Sequence, residues 1–319
     1  MNMKITVLDS DALGRDLSLE PLKEFGEVEV FNYSSPDEVT ERISDCDVVI
    51  INKIKLNGSN LPYAKNLKLI CIAATGFDNV DVAYCRENGI AVCNVVGYST
   101  NSVALITFSL ALGLVSHLRE YNDYVISGDY TKSGIPNRLE PAFHELDGLT
   151  WGVVGLGNIG KKVAGIASAM GCRVIANKRT PEEGYDLVSL EELMRESDII
   201  SLHTPLNEST KGLISKEMIG LMKKNAILIN VARGAVCDEA ALADAVKNGD
   251  IGGIGVDVYS VEPFTEAHPF NEIKEYKNVL LTPHNAWGAY EARVRLLDGI
   301  VENIRAFNKG EKRCRVDIL

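Results

Sequence analysis

Gly155-Leu156-Gly157-Asn158-Ile159-Gly160 constrains what this chain can fold into more than any other feature. The six residues directly follow an apolar run at 150–154 and open a stretch of helical period that reaches about residue 170. A strand, a glycine turn and a helix in that order form a dinucleotide fingerprint. Glycine lets backbone approach a pyrophosphate, and the helix amino terminus attracts its negative charge. Such a turn belongs to a parallel sheet covered by helices, so the rest of the chain has to supply further strand and helix units.

It supplies two series of them. Short apolar runs at 4–8, 28–31, 47–51, 69–72 and 91–94 read as buried strands, with helix-like stretches such as 35–44 and 81–87 between them. That alternation predicts a parallel sheet with helices on both faces. A long apolar helix is expected from about 99 to 121 as a connector, followed by a polar loop containing Gly128, Gly134, Pro136 and Pro141. The second series runs through 150–154, 173–176, 199–203, 226–230, 253–257 and 279–282, six strands that complete a doubly wound domain. After Pro283 the chain is helical again over about 290–308. The expected fold is α/β with two doubly wound parallel-sheet domains, a discontinuous one from 1–98 plus 286–319 and a Rossmann domain from 99–285.

Composition agrees and excludes alternatives. At 319 residues the chain exceeds one comfortable core, and 46% hydrophobic with 24% charged residues is ordinary globular usage. The first apolar run is broken by Asp9 and lacks a small-residue cleavage site, so a buried strand is expected there and not a signal peptide. No membrane span is expected. The net charge, 33 − 44 = −11, leaves no basic surface for nucleic acid or anionic lipid. The seven cysteines (Cys46, Cys71, Cys85, Cys93, Cys172, Cys237, Cys314) contain no CxxC pair. They read as small buried hydrophobes in a reducing, cytoplasmic compartment, with no metal site among them.

Three residues in the second half have the types that carbonyl reduction requires. Arg233, in Asn230-Val231-Ala232-Arg233-Gly234-Ala235, follows an apolar strand, and open α/β sheets bind ligands at the carboxyl ends of their strands. Its planar fork can clamp a carboxylate and polarise the adjacent carbonyl. Glu262 lies beyond another strand, before Pro263, and His284 beyond a third, in Thr282-Pro283-His284-Asn285-Ala286-Trp287. Together they supply a carboxylate able to orient an imidazole and favour its cationic form, which can give a proton to the carbonyl oxygen as hydride reaches the carbon.

With these residues in place the chain resembles one family, the D-isomer-specific 2-hydroxyacid dehydrogenases, over nearly its whole length. The resemblance rests on Ala74-Thr75-Gly76-Phe77-Asp78-Asn79-Val80-Asp81, on Tyr98-Ser99-Thr100-Asn101-Ser102-Val103-Ala104, on the glycine turn and on His203-Thr204-Pro205-Leu206. The Arg233 segment, Glu262-Pro263 and Pro283-His284 follow in the family's order. It implies a flavodoxin-like substrate domain beside the Rossmann domain, and a homodimer with the active site in the cleft between domains. Arg233, Glu262 and His284 become the catalytic residues. Backbone N–H groups near Thr75 and Gly76 are implied to hold the substrate carboxylate, with Asn52 and Lys53 lining the same cleft. Trp287 resembles the glycerate dehydrogenase and hydroxypyruvate reductase branch and joins the substrate contacts.

For the cofactor the resemblance implies pyrophosphate contacts at Asn158 and Ile159 and a nicotinamide contact at Asp257. Further contacts fall at Thr107, at His203, Thr204, Pro205 and Thr210, at Val231 and Ala232, and at His284 and Ala286. The strand after the fingerprint should end in an acidic residue about 20 residues on, where it accepts the ribose hydroxyls of NAD. The chain has Ala176-Asn177-Lys178-Arg179-Thr180 instead. No carboxylate in that segment repels a 2′-phosphate, and two adjacent cations can bind one, so the sequence leans towards NADP while leaving NAD open. Leu105-Ile106 also departs from the family, which commonly has Glu after Val-Ala there. The expected reaction is reduction of a small 2-keto acid, such as glyoxylate or hydroxypyruvate, to its D-2-hydroxy acid. The alternatives are a dinucleotide-sensing corepressor, and family enzymes acting on D-lactate, formate, phosphite or 3-phosphoglycerate.

Overall fold

The computed structural model describes residues 2–318 and divides into two compact units, Met1–Ser99 with Gly288–Leu319, and Thr100–Trp287. The breaks thus fall after Ser99 and Trp287, where the sequence suggested 98 and 285.

In the first unit β1 (Met3–Val7), β2 (Gly26–Val30), β3 (Val48–Ile51), β4 (Leu69–Ile72) and β5 (Ala91–Cys93) form one parallel sheet in the order β2-β1-β3-β4-β5. This is the flavodoxin-like order. Every residue of β3 and β4 is buried, as expected for central strands covered on both faces. Helix α1 (Pro36–Ile43) begins where the sequence can start one: Pro36 occupies the first turn, and Glu38 reaches back to the Ser35 N–H at 2.8 Å in a capping box. Helix α2 (Val82–Glu87) is capped by Asp81, which accepts the Tyr84 N–H at 2.9 Å.

The second unit carries β6 (Thr150–Val154), β7 (Arg173–Asn177), β8 (Asp186–Leu187), β9 (Ile199–Leu202), β10 (Ile227–Asn230), β11 (Gly253–Val256) and β12 (Val279–Leu281). They pair in parallel in the order β12-β11-β10-β9-β6-β7-β8. The order reverses between β6 and β9, and a doubly wound sheet opens a crevice for ligand at such a switch point. The helices are α3 (Thr100–Val115), α4 (Leu118–Ile126), α5 (Asp129–Ser133), α6 (Asn158–Ala169), α7 (Leu190–Glu196), α8 (Lys216–Ile219) and α9 (Glu239–Asn248), while α10 (Tyr290–Asn308) belongs to the first unit. Along β10 the residues alternate between two cores. Leu228 joins Leu193, Leu242 and Phe270 on one face, and Ile227 and Ile229 join Phe108, Trp151 and Val163 on the other.

Two expectations need correction. The single helix over 99–121 breaks at Ser116 and His117. The Ser116 hydroxyl bonds back to Leu112 O at 2.6 Å, and His117 takes a left-handed φ of 50°, so α4 starts afresh. The six strands are seven, because β8 has only two residues and leaves no periodic signal. No single helix among the described residues is long and apolar enough to cross a membrane. All seven cysteines are unpaired, and six are buried.

Candidate active site

The fingerprint folds as its residues dictate. Gly155 sits at φ +92°, where a Cβ would come within 2.8 Å of the backbone of His203 and Thr204, and a Cβ on Gly160 would stand 2.1 Å from Gly155 O. Helix α6 is thereby pressed onto the turn. Its N-cap is Gly157, whose own Cβ position opens on space, and no described side chain caps it. The helix thus presents N–H groups at Asn158 and Ile159 to whatever occupies that space. On the far side of the switch point the His203 ring has both nitrogens buried without a partner, and burial holds its pKa down to about 3, so the ring is neutral. A cradle that Cβ atoms would fill, an uncapped helix end and an orphaned imidazole fit a dinucleotide. Thr204 lies beside that ring, and Pro205 O accepts the Thr210 hydroxyl at 2.6 Å, which braces the turn between them. Thr107 is fully buried in α3 and donates its hydroxyl to Val103 O at 2.8 Å.

At the end of β7 the Asn177 amide donates to Val188 O at 3.0 Å. Lys178 forms an ion pair with Glu182, and Lys161 from α6 reaches the same carboxylate at 2.5 Å. The two ammonium groups hold the Glu182 carboxyl at about 2, while Arg179 is exposed. The sequence reading missed Glu182. The segment lacks an acid at the strand end, yet the loop that follows returns one to the same cations.

Three adjacent strands present the candidate catalytic groups. Strands β10, β11 and β12 are neighbours, about 4.8 Å apart each, so their carboxyl-end loops share one edge of the sheet. Arg233 follows β10, where Asn230 ties the turn in both directions: its amide donates to Arg233 O at 3.0 Å, and its carbonyl accepts the Ala232 N–H at 3.0 Å. Val231 and Ala232 are buried in that turn. Gly234 has no alternative, because a Cβ there would lie 2.0 Å from the Tyr259 carbonyl carbon. Glu262 follows β11; one oxygen accepts the Tyr259 N–H at 3.0 Å and the other meets Nδ1 of His284 at 2.6 Å. His284 follows β12 with a left-handed φ of 52°. Its segment is clamped by buried Asp257, which accepts the Thr282 hydroxyl at 2.6 Å and the N–H groups of Asn285 and Ala286 at 3.0 and 2.9 Å. Glu262 thus takes up Nδ1 of the ring. Ala286 is buried, and Trp287 packs on the core face that holds Phe108 and Trp151.

The remaining candidates lie in the first unit. Asn52 and Lys53 follow β3, Thr75 and Gly76 follow the neighbouring β4. Buried Asp9, which the sequence reading did not single out as functional, accepts the N–H groups of Asn52 at 2.9 Å and Lys53 at 2.6 Å; burial pushes its own pKa up. The Asn52 amide donates to Ala73 O at 2.6 Å, and its carbonyl oxygen is buried without a partner, which makes it an acceptor in waiting. Thr75 O accepts from Asn94 at 2.7 Å and its hydroxyl donates to Val95 O, which fixes the turn.

A parallel sheet with a dinucleotide cradle at its switch point and an arginine, a carboxylate and an imidazole at adjacent strand ends defines a nicotinamide-dependent oxidoreductase. The family model for the D-isomer specific 2-hydroxyacid dehydrogenase NAD binding domain matches residues 108–286. The chain is 36% identical to glycerate dehydrogenase of Methylorubrum extorquens over 99% of its own length and 100% of that protein's. Among solved structures it is similar to D-lactate dehydrogenase of Aquifex aeolicus complexed with NAD and lactic acid (TM-score 0.86, 31% identity, covering 97% of this chain and 96% of that one). It is equally similar to an acyclic imino acid reductase in complex with NADPH and D-Arg (TM-score 0.86, 31% identity, 98% and 100% covered). The chain belongs to the D-isomer specific 2-hydroxyacid dehydrogenase family, and is an oxidoreductase acting on CH–OH groups with NAD or NADP.

Proposed function

We propose that this enzyme reduces glyoxylate or hydroxypyruvate to the D-2-hydroxy acid, with Arg233, Glu262 and His284 as its catalytic residues. The observation that carries the reading is the 2.6 Å pair of Glu262, after the strand beside the Arg233 strand, and His284, after the strand beyond it. Bound nicotinamide supplies the hydride that reaches C2. The chain supplies the rest. Arg233 pairs with the substrate carboxylate and offsets charge growing on the C2 oxygen. His284 hands a proton from Nε2 to that oxygen, while Glu262, on Nδ1, keeps the ring oriented and offsets the charge of the imidazolium. Asn52, Lys53, Thr75, Gly76 and Trp287 are the further substrate contacts in this reading.

The same reading assigns the dinucleotide to the second unit, with NADPH preferred. A 2′-phosphate would take the place of Glu182 on Lys178 and Lys161. It includes a homodimer in the cytoplasm, which sedimentation of the purified chain tests. The reaction itself is tested by following reduced cofactor at 340 nm with glyoxylate, hydroxypyruvate, pyruvate and branched keto acids, each with NADH and NADPH. Turnover highest on the two smallest polar acids is expected, and turnover confined to branched acids would overturn the substrate assignment.

A further inference from the structure

The loop that carries Glu262 leans on a second carboxylate that the proposed chemistry does not use. Glu239, the first residue of α9, is only 8% exposed. One of its oxygens accepts the Ser260 N–H at 2.9 Å; the other accepts the Ser260 hydroxyl and faces Nε2 of His268 at 3.1 Å. His268 is equally buried, and its Nδ1 accepts the Phe270 N–H at 3.2 Å, so the ring proton sits on Nε2 and points at Glu239. The imidazole is fixed among the rings of Phe264, Phe270 and Tyr259, with centroids at 4.9, 5.0 and 5.9 Å. Burying a carboxylate and an imidazole together is poor value for stability alone, since apolar packing of the same volume does as well.

What the pair does hold is the turn that aims the proton donor. Ser260 follows Tyr259, whose N–H binds Glu262 and whose hydroxyl donates to Thr282 O at 2.9 Å, two residues before His284. Gly234, next to Arg233, touches the same Tyr259-Ser260 peptide. We propose that Glu239, held by His268, is a positioning residue for proton transfer: it fixes the 259–262 turn so that Glu262 already meets Nδ1 of His284 before substrate arrives. This rests on the assignment of Glu262 and His284 above. Only a carboxylate serves, because a glutamine accepting from Ser260 would turn its amide N–H groups towards the Nε2–H of His268, and the other tautomer would turn Nδ1–H against the Phe270 N–H.

The test is a double-mutant cycle with a spectroscopic arm. Glu239→Gln is expected to lower kcat for keto acid reduction about 10- to 100-fold, the cost of a misplaced catalytic group, with KM for the reduced cofactor unchanged. Combined with Glu262→Gln it should be no slower than the slower single variant, whereas a general loss of structure would multiply the two losses. His268→Phe, which keeps the ring cluster but has no donor, should reproduce Glu239→Gln, and His268→Gln should recover most of what His268→Phe loses. In proton spectra of the folded enzyme, the downfield Nδ1–H signal of His284 should vanish in Glu262→Gln and broaden in Glu239→Gln. Multiplied losses, or an unaltered signal in Glu239→Gln, would overturn the proposal. If no keto acid is turned over yet the signal still depends on Glu239, the assigned reaction falls and the positioning role stands.

Discussion

Two carboxylates in the second unit each face a side-chain nitrogen, and they differ in what stands behind them. The side chains of Glu262 and His284 are 28% and 20% exposed, those of Glu182 and Lys178 are 24% and 26%, so exposure does not separate the two places. Anchoring does. Glu262 is pinned by the Tyr259 N–H, and its partner is on a segment clamped by Asp257, whereas Glu182 is held by two flexible lysine side chains on a loop after β7. A carboxylate tied to backbone keeps its geometry through a reaction; one tied to lysines can be displaced by a better anion.

The sharpest way to break this comparison is to remove the anchored groups. Losing one pre-aimed donor typically costs about 10² to 10³ in rate, so Arg233→Ala and His284→Ala should each lose at least that in kcat/KM while still binding reduced cofactor, as followed by nicotinamide fluorescence. Near wild-type turnover in either would remove the strand-end loops from the chemistry.

The two histidines at strand ends give the next largest contrast. His284 has a carboxylate partner, whereas His203 has none and is kept neutral by burial, its pKa lowered from 6.5 to about 3. The folded-state value lies below the unfolded one. Below about pH 6.5 the unfolded chain therefore takes up a proton that the folded chain refuses, and stability is lost as pH falls from there towards 3. Between pH 7 and pH 5 this amounts to about 2 kcal/mol. In His203→Phe the drop in unfolding free energy between those pH values, from urea titrations, should shrink by that amount. An unchanged drop would mean that the ring is hydrated in the folded protein.

Much of this was readable in the chain because it is encoded locally. A glycine turn after a buried strand, or Arg233 one step beyond an apolar run, carries its position within a few residues. Six of the seven strands of the second sheet were legible for the same reason, and two-residue β8 was not. The supports were harder to see. Glu239 and His268 are 29 residues apart, and Asp9 lies 43 residues from Asn52, so only the sheet order brings them together. Glu182 hid differently: four residues after Lys178 it has the spacing of a helical ion pair, yet the segment is a loop, and its second partner, Lys161, comes from another element.

Glu182 also makes the smallest and most discriminating prediction. If its carboxylate only fills a cation site in wait for a 2′-phosphate, Glu182→Gln removes a competitor and leaves Lys161 and Lys178 for the phosphate. Exposed ion pairs are weak and screened by salt, so the gain in kcat/KM for NADPH should be about fivefold or less and should shrink as ionic strength rises. NADH has no phosphate to place there and should be used as before. The opposite result, an NADH efficiency that falls tenfold with NADPH unmoved, would mean that Glu182 receives the ribose hydroxyls, and that the loop after β7 returns the acid missing from the strand end. The ratio of the two efficiencies in wild type and variant therefore decides between a displaced carboxylate and a binding one, and an NADH preference in wild type would already favour the second.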